Sequence, residues 1–177
     1  HELLPCQGSV DTTESSPESH KMDTKTDHCE TLPRLPHAML LSCPVLDLSS
    51  GSQERRYSTE LHPVLNTGLV SAICDSYVPR GACKDSVLIS PIFAPDAVLQ
   101  RFPPTLMFAS SNDLVLDDAV VLNERLRGLG VNSELRAVEN LPHAYLGLGT
   151  AGFPEARQVQ EQIHRWLVQQ LRFETLR

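Results

Sequence analysis

Phe102-Pro103-Pro104-Thr105-Leu106-Met107-Phe108-Ala109-Ser110-Ser111-Asn112-Asp113 is the stretch on which the fold turns. The double proline breaks whatever precedes it, and the apolar run from Thr105 to Ala109 then proceeds without alternation until a Ser-Ser-Asn-Asp cluster stops it. A short unbroken run suits a strand buried on both faces, as in a parallel sheet covered by helices. Asp113 therefore stands just beyond the carboxyl end of a strand, the edge at which ligands bind in open α/β sheets.

Working outward, Ala38-Met39-Leu40-Leu41-Ser42-Cys43-Pro44-Val45-Leu46 is a second such run, closed by Asp47 and a Ser-Gly cluster. A weaker strand is predicted from Ser133 to Val138. Between them Asp117 is suited to cap a helix in which Ala119, Leu122 and Leu126 recur on one face, ending at Gly128 and Gly130. The last helix carries an apolar stripe of Val159, Ile163, Trp166, Leu167 and Leu171, with Pro154 near its first turn. A further helix is predicted over Pro63 to Tyr77. Strands alternating with helices give an α/β class with a mostly parallel sheet. Residues 1–36 differ: they are rich in Ser, Thr, Asp, Glu, Lys and Pro and contain no Phe, Trp or Tyr. Such a stretch buries too little apolar surface to offset its conformational entropy, so a disordered tail or long surface insertion is expected there, with the folded domain over 37–177.

The 177 residues carry a net charge of -7, which argues against a nucleic-acid partner. No window approaches the roughly 18 uninterrupted apolar residues of a membrane span. The five cysteines (Cys6, Cys29, Cys43, Cys74 and Cys83) form no CxxC pair, and reduced thiols are expected, which favours a cytoplasmic location. Cys43 and Cys74 lie in apolar stretches and read as core. The His28-Cys29 dipeptide lacks a second ligand pair at zinc-like spacing. The start at His1, with neither Met nor a basic-then-apolar leader, reads as a truncation point.

His143 sits in the loop Asn140-Leu141-Pro142-His143-Ala144-Tyr145, after the weaker strand and before the last helix, 30 residues beyond Asp113. One helix and one strand between them bring both side chains to the same sheet edge. A carboxylate there fixes an imidazole tautomer while the other ring nitrogen takes a proton from a nucleophile. On spacing alone, a turn-forming Asp and a solvated His remain open alternatives.

Ser90-Pro91-Ile92-Phe93-Ala94-Pro95-Asp96, Phe102-Pro103-Pro104-Thr105, Asn112 to Asp118, Glu124 to Val131 and Leu141-Pro142-His143, in that order, resemble the hormone-sensitive-lipase family of esterases. The resemblance is strong over 90–148, looser over 37–89 and the last helix, and absent over 1–36. It implies an α/β-hydrolase fold, carboxylic ester hydrolysis, Asp113 as the triad acid and His143 as the triad base. Asp117 and Asp118 match the family's acidic pair and read as helix-start residues, favourable at a helix N-terminus. Leu114 replaces the family's usual Pro, and Ala144-Tyr145 replaces its usual Gly-Phe.

No G-x-S-x-G elbow and no HGG-type oxyanion loop occurs in these residues. The chain order of this fold is Ser, acid, His, so both parts belong upstream. The expected fold is thus a partial α/β-hydrolase with its N-terminal half absent, and the expected enzyme is the full-length protein, this chain alone being inactive. Ser50-Gly51-Ser52 and Ser110-Ser111 lack the flanking glycines of an elbow and read as turn residues. The expected partner is a small-molecule or lipid ester substrate, and neither metal nor organic cofactor is implied. Two other classes compete: a hydrolase-fold binding or scaffold protein with a dead triad, and a serine peptidase of the prolyl-oligopeptidase type. Arg55-Arg56-Tyr57-Ser58 resembles a basophilic kinase site.

Overall fold

The computed structural model describes residues 35–49, 52 and 65–174. Residues 1–34 of the tail predicted over 1–36, with His28-Cys29 among them, and Ser58 lie outside the described residues. Three strands, β1 (Met39–Ser42), β2 (Thr105–Ser110) and β3 (Ser133–Val138), form one sheet in the order β1-β2-β3. Both pairings are parallel, with Met39 opposite Thr105 and Thr105 opposite Ser133. The helices are α1 (Thr67–Tyr77), α2 (Asp96–Leu99), α3 (Leu116–Gly128) and α4 (Pro154–Glu174), with 3-10 turns at Pro91–Phe93 and Tyr145–Gly149. No helix among the described residues is long and apolar enough to cross a membrane.

Every residue of β2 is buried, which explains why its sequence does not alternate. The period-2 geometry of the strand divides its side chains between two layers. Met107 and Ala109 pack with Ala119, Leu122 and Leu126 of α3, whereas Leu106 and Phe108 pack with Ala156, Val159 and Ile163 of α4 and with Tyr145. Full burial of each such Leu or Phe stabilises by roughly 1.5–3 kcal/mol. The two helices thereby clamp the central strand, and with it the position of its carboxyl end.

β1 is shorter than its apolar run because Cys43 turns into the left-handed region at φ 45° and Pro44 has no N–H to continue the ladder. Cys43 N–H still donates to Phe108 O at 2.7 Å, so the turn is fastened to β2. The start of α3 also differs from expectation. Val115, not Asp117, is the N-cap residue, and no side chain caps the helix. Asp118 is instead buried and its Oδ2 accepts the N–H groups of Leu46 (2.8 Å) and Asp47 (3.0 Å), tying α3 to the segment after β1. Gly130, at φ 80°, closes the far end of α3 where a left-handed residue is required. On α4 the stripe is buried at Val159 and Ile163 and packed at Trp166, but Leu171 is exposed.

α1 begins at Asn66, whose Oδ1 accepts the Leu69 N–H at 2.9 Å. The Ser90–Asp96 segment is held by Arg125 of α3, which donates to the carbonyls of Ile92 and Ala94 and to Asp96 Oδ1. Ser90, fully buried, accepts the Leu48 N–H at 2.9 Å and donates to Lys84 O at 2.6 Å.

Candidate active site

β2 and β3 are adjacent and parallel, so the loops leaving their carboxyl ends emerge side by side. The first carries Asp113 and the second His143. His143 Nδ1 lies 2.7 Å from Asp113 Oδ2, with the carboxylate fully buried and the imidazole 20% exposed. The other carboxylate oxygen, Oδ1, accepts the Val115 N–H at 3.2 Å, and Asp113 O accepts the Leu116 N–H at 3.1 Å. Asp113 therefore both shapes the turn that leads into α3 and grips the histidine. A buried carboxylate held this way defines which ring nitrogen of His143 bears a proton toward it, and Nε2 makes no hydrogen bond among the described residues.

Ser110 welds the two loops together. Its hydroxyl donates to Leu141 O of the histidine loop and accepts the Asn112 N–H of the aspartate loop at 3.3 Å. Ser111 N–H adds a bond to Val138 O at 2.9 Å. Ser52 likewise spends its hydroxyl on Asp47 O and Ser49 O, so both serines serve the turns around them.

The structure adds two residues that sequence reasoning assigned elsewhere. Cys43, read as core, is buried, but its Sγ also lies within 4.8 Å of ligand atoms of Asp113 and His143. Burial pushes the Cys43 thiol up, the charge of Asp113 adds to that, and backbone groups of Ala144 and Ser110 oppose it. Tyr145, fully buried, has its phenol raised first by burial and then by Cys43 and Asp113. Its hydroxyl has no partner in good hydrogen-bond geometry, and the Ser42 side chain beside it opposes the rise. Cys43 directly follows the strand that pairs with β2, on the same carboxyl edge as Asp113, a place set by strand pairing and not by any pattern in the sequence. Tyr145 was singled out in the sequence as a departure from the family's usual Phe after the base, but not as a buried hydroxyl beside Cys43 and Asp113.

Cys43, Asn140 and Ala144 are the non-glycine residues with positive φ among the described ones; Cys43 lies beside the dyad, and the other two are in the loop that carries His143. Ala144, at φ 60°, directly follows His143. Left-handed backbone at non-glycine residues costs of order 1–3 kcal/mol each and clusters where structure holds a site in shape.

The family profile described as the alpha/beta hydrolase fold matches residues 19–147. The chain belongs to the α/β-hydrolase fold family. Human hormone-sensitive lipase is 31% identical over 173 residues, covering 89% of this chain and 15% of that protein. An esterase of Gibberella moniliformis is 34% identical over 84 residues, 47% of this chain and 26% of the esterase. The crystal structure of an esterase from the bacterial hormone-sensitive lipase family superposes with a TM-score of 0.67 at 28% identity, covering 77% of this chain and 44% of that one. Within the fold family, the chain falls in the hormone-sensitive-lipase group. It spans less than half the length of each of these proteins. The family match begins at residue 19, further toward the N-terminus than the resemblance read from the motifs alone.

Proposed function

We propose that this chain supplies the acid and the base of a serine carboxylic-ester hydrolase. The observation that carries the reading is the 2.7 Å contact between His143 Nδ1 and the buried carboxylate of Asp113. Asp113 holds the imidazole in the tautomer with its proton on Nδ1 and stabilises the imidazolium that forms. Nε2 then takes the proton of a serine hydroxyl as that oxygen attacks the ester carbonyl, and returns it to the departing alcohol as the tetrahedral intermediate collapses to the acyl-enzyme. A water deprotonated by the same nitrogen releases the acid. The reaction needs no metal or organic cofactor.

The serine and the oxyanion donors stand on a segment that precedes these residues in the order of the fold, since no elbow occurs in the 177. Two features support a further body of chain packing here. β1 has a strand neighbour on one side among the described residues, and Leu69, Ile73 and Tyr77 form an exposed apolar ridge along α1. This chain alone turns over no ester. The test is hydrolysis of a short-chain p-nitrophenyl ester by the purified chain, and then by the chain joined to the upstream segment of its own transcript. The first is expected at the rate of a His143→Ala control, and the second to lose roughly 10⁴-fold or more on that substitution. Hydrolysis by the chain alone that disappears in His143→Ala would sink the proposal.

A further inference from the structure

We propose that Cys43, Asp113 and His143 form a site for a zinc-class divalent cation, which on binding displaces the proton shared by Asp113 and His143. The consequence, inhibition, rests on the reading of that pair as acid and base; the binding itself does not.

The donor set selects the ion. One thiol, one imidazole and one carboxylate suit a borderline-soft cation such as Zn²⁺, whereas Mg²⁺ and Ca²⁺ take oxygen ligands. The three donor atoms already lie within 4.8 Å of one another, two of the residues buried and the third partly so. Ligands around one tetrahedral zinc stand about 3.5 Å apart, given bond lengths of about 2.0–2.3 Å. To take up a metal, the Cys43 sulfur closes by about 1 Å and the Asp113 and His143 atoms, now 2.7 Å apart, open by somewhat less. The backbones are fixed: Cys43 is bonded to Phe108 O, and the Asp113 and His143 loops are joined through Ser110. The 20% exposure of His143 leaves a route in for the ion.

A second observation points to the same place. The Tyr145 hydroxyl is fully buried with no partner in good hydrogen-bond geometry, the Ser42 side chain being the polar group beside it, and it lies within electrostatic range of both Cys43 and Asp113. Three protein ligands leave a fourth position for water, and a water there gives this orphan hydroxyl the partner it lacks. Coordination releases the thiol proton to solvent. His143 keeps one ring proton, on the nitrogen away from the metal, and loses the hydrogen bond to Asp113.

The test is titration of the reduced chain with Co²⁺, a spectroscopic substitute for zinc. One equivalent is expected to raise a thiolate-to-cobalt charge-transfer band and the intense visible bands of tetrahedral coordination, both bleached by Zn²⁺. Cys43→Ser abolishes the charge-transfer band, whereas Cys74→Ser and Cys83→Ser retain it. His143→Gln, on a partly exposed loop, lowers zinc affinity without touching the core, and Tyr145→Phe lowers it roughly 10- to 100-fold as the loss of an outer-shell partner. The low-field Nδ1 proton resonance of His143 disappears at one equivalent of zinc. A charge-transfer band unchanged in Cys43→Ser, zinc affinity unchanged in His143→Gln, a resonance that survives zinc, or no band in the folded parent chain overturns the proposal. None of these readouts requires ester turnover, so failure of the catalytic reading leaves them intact.

Discussion

Asp118→Ala is expected to be among the most damaging single changes in the domain, while Asp118→Asn is nearly silent. The reason lies in one atom. Asp118 Oδ2 accepts both the Leu46 and the Asp47 N–H, at 2.8 and 3.0 Å, and all three residues are buried. Truncation to Ala strands two buried backbone donors, at roughly 1–3 kcal/mol each, for a total of roughly 2–6 kcal/mol. That is a large share of the roughly 5–15 kcal/mol by which a domain is stable. An Asn carbonyl oxygen has two lone pairs and accepts both donors from the same place, so for these two bonds that variant loses the charge assistance, about 1 kcal/mol. Urea denaturation followed by the fluorescence of Trp166, the single tryptophan, separates the two. With a slope of about 2 kcal/mol per molar, the Ala variant melts roughly 1–3 M earlier and the Asn variant about 0.5 M earlier. Equal midpoints for the two variants would refute the argument that this oxygen, rather than the charge or the helix start, is what Asp118 contributes.

Two further outcomes follow from the backbone and the buried phenol. Ala144→Gly relieves a left-handed alanine worth about 1–2 kcal/mol and regains most of that after the added unfolded-state entropy of glycine, a net stabilisation of up to about 1 kcal/mol visible as a higher melting temperature. In chelator, stability declines at alkaline pH: Cys43 and Tyr145 hold their protons more tightly when folded, so the unfolded chain deprotonates first. That stability is full below the ordinary pKa values of about 8.5 for a thiol and about 10 for a phenol, and is lost above them. Tyr145→Phe flattens the upper part of the decline, which pH-dependent urea melts measure.

Much of the architecture was legible because it rests on local rules. The limits of β3, Ser133–Val138, coincide with the predicted ones, and β2 reads directly from a run bounded by prolines and a polar turn. Of the helices, α3 and α4 followed from their apolar spacing, α1 starts at Thr67 rather than at Pro63, and the short α2 was not foreseen. Their ends were less legible: a helix start is a hydrogen-bond contest, and at α3 the carboxylate of Asp113 took the Val115 N–H while Asp118 turned to a partner more than 70 residues away. No local pattern encodes a contact at that separation.

The same division runs through the site. Sequence alone placed Asp113 and His143 in loops that follow strands, because hydrophobic runs and breakers mark where strands end, and the alternation of strands with helices gave the expectation of a parallel sheet. It also determined that no nucleophile elbow is present. Only the tertiary structure decided that the two side chains meet at 2.7 Å, that Ser110 joins their loops, and that the Cys43 thiol and the Tyr145 hydroxyl are buried beside them. Cys43 is 70 residues from Asp113 in the chain and adjacent through β1 pairing with β2. That adjacency is a property of the sheet, set by packing between two helical layers, and no spacing along the chain carries it.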